Sequence, residues 1–268
     1  MRNASGESAF VYMSDVKKPS RFIFPRWANW LLPFIVISAI GGGLYAPTVV
    51  TLGFSPKATA VGYAPEQPVP YSHQLHVGQL GMDCRYCHTT VEKANFAALP
   101  PTQTCMNCHT NIRTTITDEK GQTVDNPKLA ALLTSWKKGT PVDWIKVHDL
   151  PDYAYFPHQA HVTAGVSCVE CHGRVDRMEV VTQVQPLSMS WCLDCHRAPE
   201  KVLRPKDQVT NLGWTVKNLP DTNPVLWQAL RVKYNTETVT QEQLGAYLKE
   251  TNHIQNEAYM TSCSTCHR

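Results

Sequence analysis

Between Trp27 and Pro56 the chain carries no charged residue, and the run ANWLLPFIVISAIGGGLYAPTVV supplies the about 20 apolar positions that a bilayer-spanning helix requires. A cleaved signal has an apolar region of roughly 7–15 residues followed by a small-x-small site. This run is longer and no clear site of that kind follows, so the pattern predicts a retained transmembrane helix over residues 28–50. Trp27, Trp30 and Tyr45 stand where interfacial aromatic residues belong. Pro33 and Gly41-Gly42-Gly43 would weaken a helix in water, whereas membrane helices tolerate both residue types.

After this run the periodic segments are short. Pro65, Pro68 and Pro70 predict a stiff linker over residues 51–70. DNPKLAALLTSWKKGTP predicts a helix capped by Asn126 and stopped by Gly139, with Leu129, Leu132, Leu133 and Trp136 on one face. Thr240 and Gln243 have capping-box spacing ahead of Leu244, Tyr247 and Leu248, while residues 197–239 read as loop-rich. No strand pattern or phosphate-binding loop stands out. The expected fold class is mainly α with extensive loops.

Charge orients the anchor. Arg2, Lys17, Lys18, Arg21 and Arg26 against Glu7 and Asp15 give residues 1–56 a balance of +3, which is the whole formal excess of the chain. The positive-inside tendency therefore predicts a cytoplasmic segment over residues 1–27 and an outer domain over residues 71–268. With a sequence pI near 8.3 and no basic stripe, nucleic acid is not an expected partner.

The chemistry lies in the ten cysteines. They fall as Cys84/Cys87, Cys105/Cys108, Cys168/Cys171, Cys192/Cys195 and Cys263/Cys266, and each pair is followed at once by a histidine: His88, His109, His172, His196 and His267. C-x-x-C-H is the attachment signature of c-type haem, in which the thiols become thioethers and the imidazole is the proximal iron ligand. Zinc knuckles need four ligands and place no demand on the residue after the second cysteine. A disulfide framework would not repeat one two-residue spacing five times. The expected cofactors are five covalently bound haem c groups, carried on the outer side of a bacterial cytoplasmic membrane, where haem c is attached.

Five irons leave five distal positions, and six histidines lie outside the motifs: His73, His76, His148, His158, His161 and His253. Four of them form two H-x-x-H pairs, in YSHQLHVGQLGMDCRYCH and FPHQAHVTAGVSCVECH, each just upstream of a motif. Their repetition marks them as distal ligands, and His148, ten residues before His158, joins them. His253, Met178 and Met189 are the alternatives for one of these positions. Irons with two protein ligands have no open position for a substrate, so the expected activity is electron transfer and not catalysis by this chain alone.

These motifs carry a resemblance. GYAPEQPVPYSHQLHVGQLGMDCRYCH, VHDLPDYAYFPHQAHVTAGVSCVECHGRVDRMEVV, PLSMSWCLDCHRAPEKVLRP and the terminal CSTCHR resemble, in order, the membrane-anchored pentahaem cytochrome c subunit of alternative complex III, a bacterial quinol:electron-acceptor oxidoreductase. The haem domain is also similar to class III multihaem cytochromes with F-x-H-x-x-H ligand pairs; Tyr71 replaces Phe in the first copy. The resemblance strengthens His148 as a ligand and keeps one His/Met haem open. It implies a single-pass inner-membrane protein whose haem domain faces the periplasm. The implied partners are an iron–sulfur protein, quinol-binding membrane subunits and a monohaem cytochrome c, with a periplasmic cytochrome, a copper protein or a terminal oxidase as acceptor. A stand-alone membrane-anchored multihaem quinol dehydrogenase is the alternative, and a multihaem reductase of nitrogen or sulfur oxyanions is a third reading.

Overall fold

The computed structural model describes residues 25, 27–53, 59–112 and 115–267. The charges that orient the anchor lie outside the described residues. The chain divides into two compact units, one ending at Gly53 and one beginning at Phe54.

In the first unit, α1 (Ala28–Gly53) is one continuous helix of 26 residues that runs through Pro33 and Pro47 and has no buried residue. It is long and apolar enough to cross a membrane, with a mean hydropathy of 1.7. Thr48 and Thr51 donate their hydroxyls to the carbonyls of Leu44 and Pro47, both at 2.7 Å. That arrangement leaves fewer polar groups for an apolar solvent to satisfy.

The second unit opens with a segment that the prolines mark as a linker but that packs as part of the unit. Gly62 donates to the Gln183 carbonyl at 2.8 Å and Gln183 donates to that of Tyr63 at 3.0 Å. The Gln67 side chain holds both the N–H and the carbonyl of Ile145. Val69 is buried with Met106 and Leu132. Met106 lies between the two cysteines of the second motif, on α2 (Thr102–His109).

The predicted helix at 126–139 forms as a 3-10 turn, Pro127–Leu129, running into α3 (Ala130–Lys138). The Asn126 side chain accepts from Lys128 N, and Gly139, at φ +64°, ends the helix in the left-handed region. Leu132 is buried as expected, but Trp136 is 45% exposed. Ser135 takes the inner position, bonded to Thr102 at 2.7 Å and to the Thr140 carbonyl. Two elements were not expected. A hairpin pairs β1 (Thr115–Thr117) antiparallel with β2 (Thr123–Asp125), closed by the Asp118 side chain, which accepts from Lys120 N and Gln122 N. At only three residues a strand, it is too short to show alternation.

The second H-x-x-H pair lies on α4 (His158–Ala164), and the fourth motif on α5 (Met189–Arg197). The first, third and fifth motifs form short helices, Cys84–Cys87, Cys168–His172 and Cys263–Cys266. Beyond α5 the chain departs from the loop-rich expectation. Residues Pro224–Tyr234 form α6, capped by the Asn223 side chain, which accepts from Leu226 N at 3.0 Å. The predicted capping box opens α7 (Gln241–Thr251). Leu203, Trp214, Leu219, Leu230, Leu244 and Leu248 form a buried cluster here. Each of its fully buried leucines contributes about 1.5–3 kcal/mol relative to an exposed position. This part of the chain therefore has an apolar core of its own, where residues 197–239 had read as loop-rich.

Candidate haem-binding site

The first, third and fifth motifs each begin a helical turn capped by the residue just before the first cysteine, whereas the second and fourth lie inside α2 and α5. Asp83 accepts from Arg85 N at 2.8 Å, Ser167 from Val169 N at 3.5 Å, and Ser262 precedes Cys263 in the same extended conformation. A helical turn places the two thiols and the following imidazole on one face, as C-x-x-C-H chemistry requires.

The imidazoles share one hydrogen-bonding habit. Nδ1 of His76 faces the carbonyl of Ser72, His88 that of Ala98, His109 that of Ile112 and His158 that of Asn95. His161 faces Pro157, His196 faces Met260, and His267 faces Tyr153, all at 2.8–3.0 Å. A carbonyl can only accept, so each of these seven Nδ1 atoms carries the proton and each Nε2 keeps its lone pair. That is the tautomer of a metal-binding imidazole oriented by its outer hydrogen bond. His148 differs in partner but not in consequence: its Nε2 is buried without a hydrogen-bond partner. His73 has its Nδ1 buried and unpartnered instead.

Burial favours the neutral form of five rings. It pulls His73 down to about 4 and His172 to about 3, and lowers His88, His148 and His161 as well. Only neutral imidazole binds iron. Five of the thiols are shifted the other way: burial raises Cys87, Cys105, Cys192 and Cys195, and pushes Cys171 up to about 12.

Ring spacing tests whether iron fits between the histidines. A metal–nitrogen bond of about 2 Å and roughly 1.1 Å from nitrogen to ring centre put two imidazoles on opposite sides of one iron with centres about 6 Å apart. The centres of His76 and His109 are 6.2 Å apart and those of His161 and His196 are 6.1 Å apart. The second histidine of each H-x-x-H pair thus faces the histidine of a motif, His109 of the second and His196 of the fourth. His158 lies 6.5 Å from His172 with the rings within 12° of parallel, and it also lowers His88. His73 is lowered, after burial, by His88. His148 meets His172 edge-on at 4.3 Å, too close for an iron between those two. Residues His73, His88, His148, His158 and His172 therefore form one group around the first and third motifs.

The fifth motif is different. The ring beside His267 is that of Tyr153, at 5.8 Å. The alternatives for a distal ligand stand apart from these pairs: Met189 is 62% exposed, and His253 is exposed with φ +52° at the end of α7. Met178 lies against Gly173, just after the third motif. Among the described residues no group of three or more His, Cys, Asp or Glu side chains gathers as a metal site. The histidines meet as pairs across a gap, which fits haem and not a zinc knuckle.

One aromatic ring organises each H-x-x-H pair. Tyr71 meets His73 edge-on at 4.8 Å and stacks on His76 at 4.4 Å. Phe156 meets His158 at 4.8 Å and His161 at 4.4 Å in the same two orientations. The repeat visible in the sequence is thus a repeat in space. The carbonyls that orient the imidazoles left no mark in the sequence, since any residue can supply one.

Thiol neighbours also relate the motifs to one another. Cys84 and Cys168 are close enough for each thiol to be the largest influence on the other, the first lowered and the second raised. The caps of those two turns are tied by adjacent residues: Thr210 donates to Asp83 at 3.0 Å and Ser167 donates to the Val209 carbonyl at 2.6 Å. After burial, Cys105 is the main influence on Cys87, Cys195 on Cys171, and Cys266 on Cys192. These neighbours link the second motif to the first, the first to the third, the third to the fourth and the fourth to the fifth.

The five motifs, alike in sequence, are not alike in enclosure. Cys108 and Cys263 are exposed, whereas the other eight thiols are partly covered, so the structure does not gather Cys108 into the site as it does Cys105. The reason is position. Both exposed thiols belong to the end motifs of the row, each with a neighbouring motif on one side only. On α2 it is Met106 that turns into the protein, packed with Val69 and Leu132, and Cys108 is left facing outward. Its place in the site thus rests on the C-x-x-C-H spacing and on His109, which follows it and faces His76.

No family model matches the chain. The chain spans just under half the length of the curated relative it matches. Over 108 residues, 40% of this chain and 46% of the relative, it is 34% identical to the multiheme cytochrome c subunit of a menaquinone reductase from Nitratidesulfovibrio vulgaris strain Hildenborough, a likeness that supports reading it as a multihaem cytochrome c.

Proposed function

We propose that this chain is the membrane-anchored, five-haem electron relay of a quinol-oxidising complex of the alternative complex III type. One observation carries the reading: imidazoles oriented through Nδ1 face one another in pairs about 6 Å apart, as at His76/His109 and His161/His196. Haem c at the five motifs would supply one-electron carriers whose potentials follow axial ligand, burial and local charge. At the second and fourth motifs the facing histidines of the chain would hold the group from both sides and so leave no place for a substrate. The proposed holders are the ten motif cysteines, the five motif histidines, and His73, His76, His148, His158 and His161. The cytochrome relative is a subunit of an enzyme named for menaquinone, which supports a quinone-linked role.

The order of the motifs gives the relay two ends, the second motif at Cys105 and Cys108 and the fifth at Cys263, where partner proteins would give and take electrons. Quinol chemistry itself belongs to partner subunits in this reading. Oxidising a quinol releases two protons and needs acid–base groups beside the ring, and between Trp27 and Pro56 there is no charged or histidine side chain. Gly41-Gly42-Gly43, with Ser38 and Ala39, suits close packing against other membrane helices.

The test gives reduced quinol and an oxidised soluble acceptor to the haem-loaded subunit in detergent and, separately, to the native membrane complex. The proposal expects turnover by the complex and negligible turnover by the subunit. Sustained, inhibitor-sensitive quinol oxidation by the subunit alone would replace it with the stand-alone quinol dehydrogenase.

A further inference from the structure

Glu170 sits inside the third motif, between Cys168 and Cys171, and pairs across the fold with a deeply buried arginine. Its Oε1 accepts from Nη2 of Arg204 at 2.9 Å, and the two side chains are 30% and 9% exposed. Arg204 is fixed on every side. Its N–H donates to the Gly165 carbonyl at 3.0 Å, its Nη1 to the Asn211 carbonyl at 3.2 Å, and its guanidinium lies 5.5 Å from the centre of the Trp214 ring. Gly165, at φ +98°, admits this approach: a Cβ there would come within 2.5 Å of the Arg204 carbonyl. The Nε of Arg204 is buried with no hydrogen-bond partner. The guanidinium is thus only partly compensated, and so much protein structure committed to holding a buried charge beside an attachment motif calls for a purpose. A buried ion pair is on balance a poor source of stability.

We infer that Arg204 and Glu170 set the reduction potential at the third attachment motif, the buried guanidinium favouring the reduced cofactor and the carboxylate opposing it. The physical basis is Coulombic. Reduction adds one negative charge near the motif, and in a poorly solvated interior a fixed charge acts on it with little screening. In the row of motifs this is the middle, so the pair would govern how readily electrons pass between the two halves of the relay. Arg204 is on this account a positioning residue for charge and contacts no reacting atom.

The inference rests on the haem reading, and the same samples separate the two. Glu170→Gln keeps an acceptor for Arg204 and removes the opposing charge; Arg204→Gln removes the guanidinium; Arg204→Lys keeps the charge without the fork. Full-length, haem-loaded protein of each kind is titrated by optical spectropotentiometry and resolved into five components, and intact mass counts the haems. The expected result is an upward shift of one or two components in Glu170→Gln, a downward shift of the same components in Arg204→Gln, and a return toward the native value in Arg204→Lys. If Arg204→Gln does not fold, the upward shift in Glu170→Gln and the near-native value in Arg204→Lys stand as the test. Full haem content with no shift, or with shifts of the same sign in Glu170→Gln and Arg204→Gln, overturns this inference alone. Absence of haem at Cys168 and Cys171 overturns the reading beneath it.

Discussion

Tyr71 and Phe156 show how one side chain can hold two ligands. Each ring stands edge-on to the first histidine of its pair and flat against the second, with centre distances that agree between the copies, 4.8 and 4.4 Å. Packing of this kind contributes about 0.5–1.5 kcal/mol beyond burial and, more to the point, fixes ring direction. Tyr71→Phe should therefore leave the visible spectrum of the holoprotein unchanged, since Phe156 does the same work without a hydroxyl. Tyr71→Ala should free His76 and produce a high-spin fraction that binds carbon monoxide. A spectrum of Tyr71→Ala identical to the native one would contradict this role. The histidines that pair in space were legible in the sequence because both copies repeat them at the same spacing. The carbonyls that set their tautomer were not, because main-chain groups carry no residue signature. Nor could the spacing show that Cys108 stands exposed while Cys105, three residues earlier, is partly covered.

Asp83 caps the first motif and also accepts from Arg85 Nε at 2.8 Å. Arg85 holds its carboxyl down to about 2. Removing the cap in Asp83→Ala should cost about 1 kcal/mol of stability. A carboxyl depressed in the folded state stabilises above its unfolded value near about 4 and loses that effect as pH falls through the folded value. The melting-temperature gap between the native protein and Asp83→Ala should thus be full above about pH 4 and narrow toward pH 2. A gap independent of pH would show that the charge contributes nothing.

Among the elements, α7 depends on a glycine for its position. A Cβ at Gly245 would stand 1.9 Å from the Glu200 carbonyl oxygen and 2.5 Å from the carbon, main-chain atoms that have no rotamer to escape into. The Gln241 side chain ties the same contact, donating to the Leu203 carbonyl at 2.7 Å. Gly245→Ala should therefore destabilise the domain by at least the about 1–3 kcal/mol of ordinary overpacking, although alanine is the better helix former. A denaturation midpoint at or above the native one would refute the close approach. Elements with paired end signals were readable: Asn126 and Gly139 bound one helix, and Thr240 with Gln243 opens another. Helix α6 has such signals too, with Asn223 as cap, Pro224 in the first turn and Leu226 and Leu230 one turn apart. Nearby prolines and polar residues obscured them. The three-residue strands are fixed by their hairpin turn and could not be read from alternation.

The molecule as a whole alternates two kinds of interior. Residues 203–248 bury leucines and a tryptophan against one another, whereas the motif-bearing segments surround a row of paired imidazoles and neighbouring thiols. The order of that row was hidden in the sequence, since the first and third motifs, joined through Cys84 and Cys168, are 84 positions apart. Everything proposed for the chain depends on covalent haem at every motif. The most direct test is the intact mass of the full-length protein, purified from a host able to attach haem c and extracted with acidified acetone to strip unattached haem. The account predicts a single species that retains five haems. A chain with fewer than five, or one of unmodified mass, would contradict it.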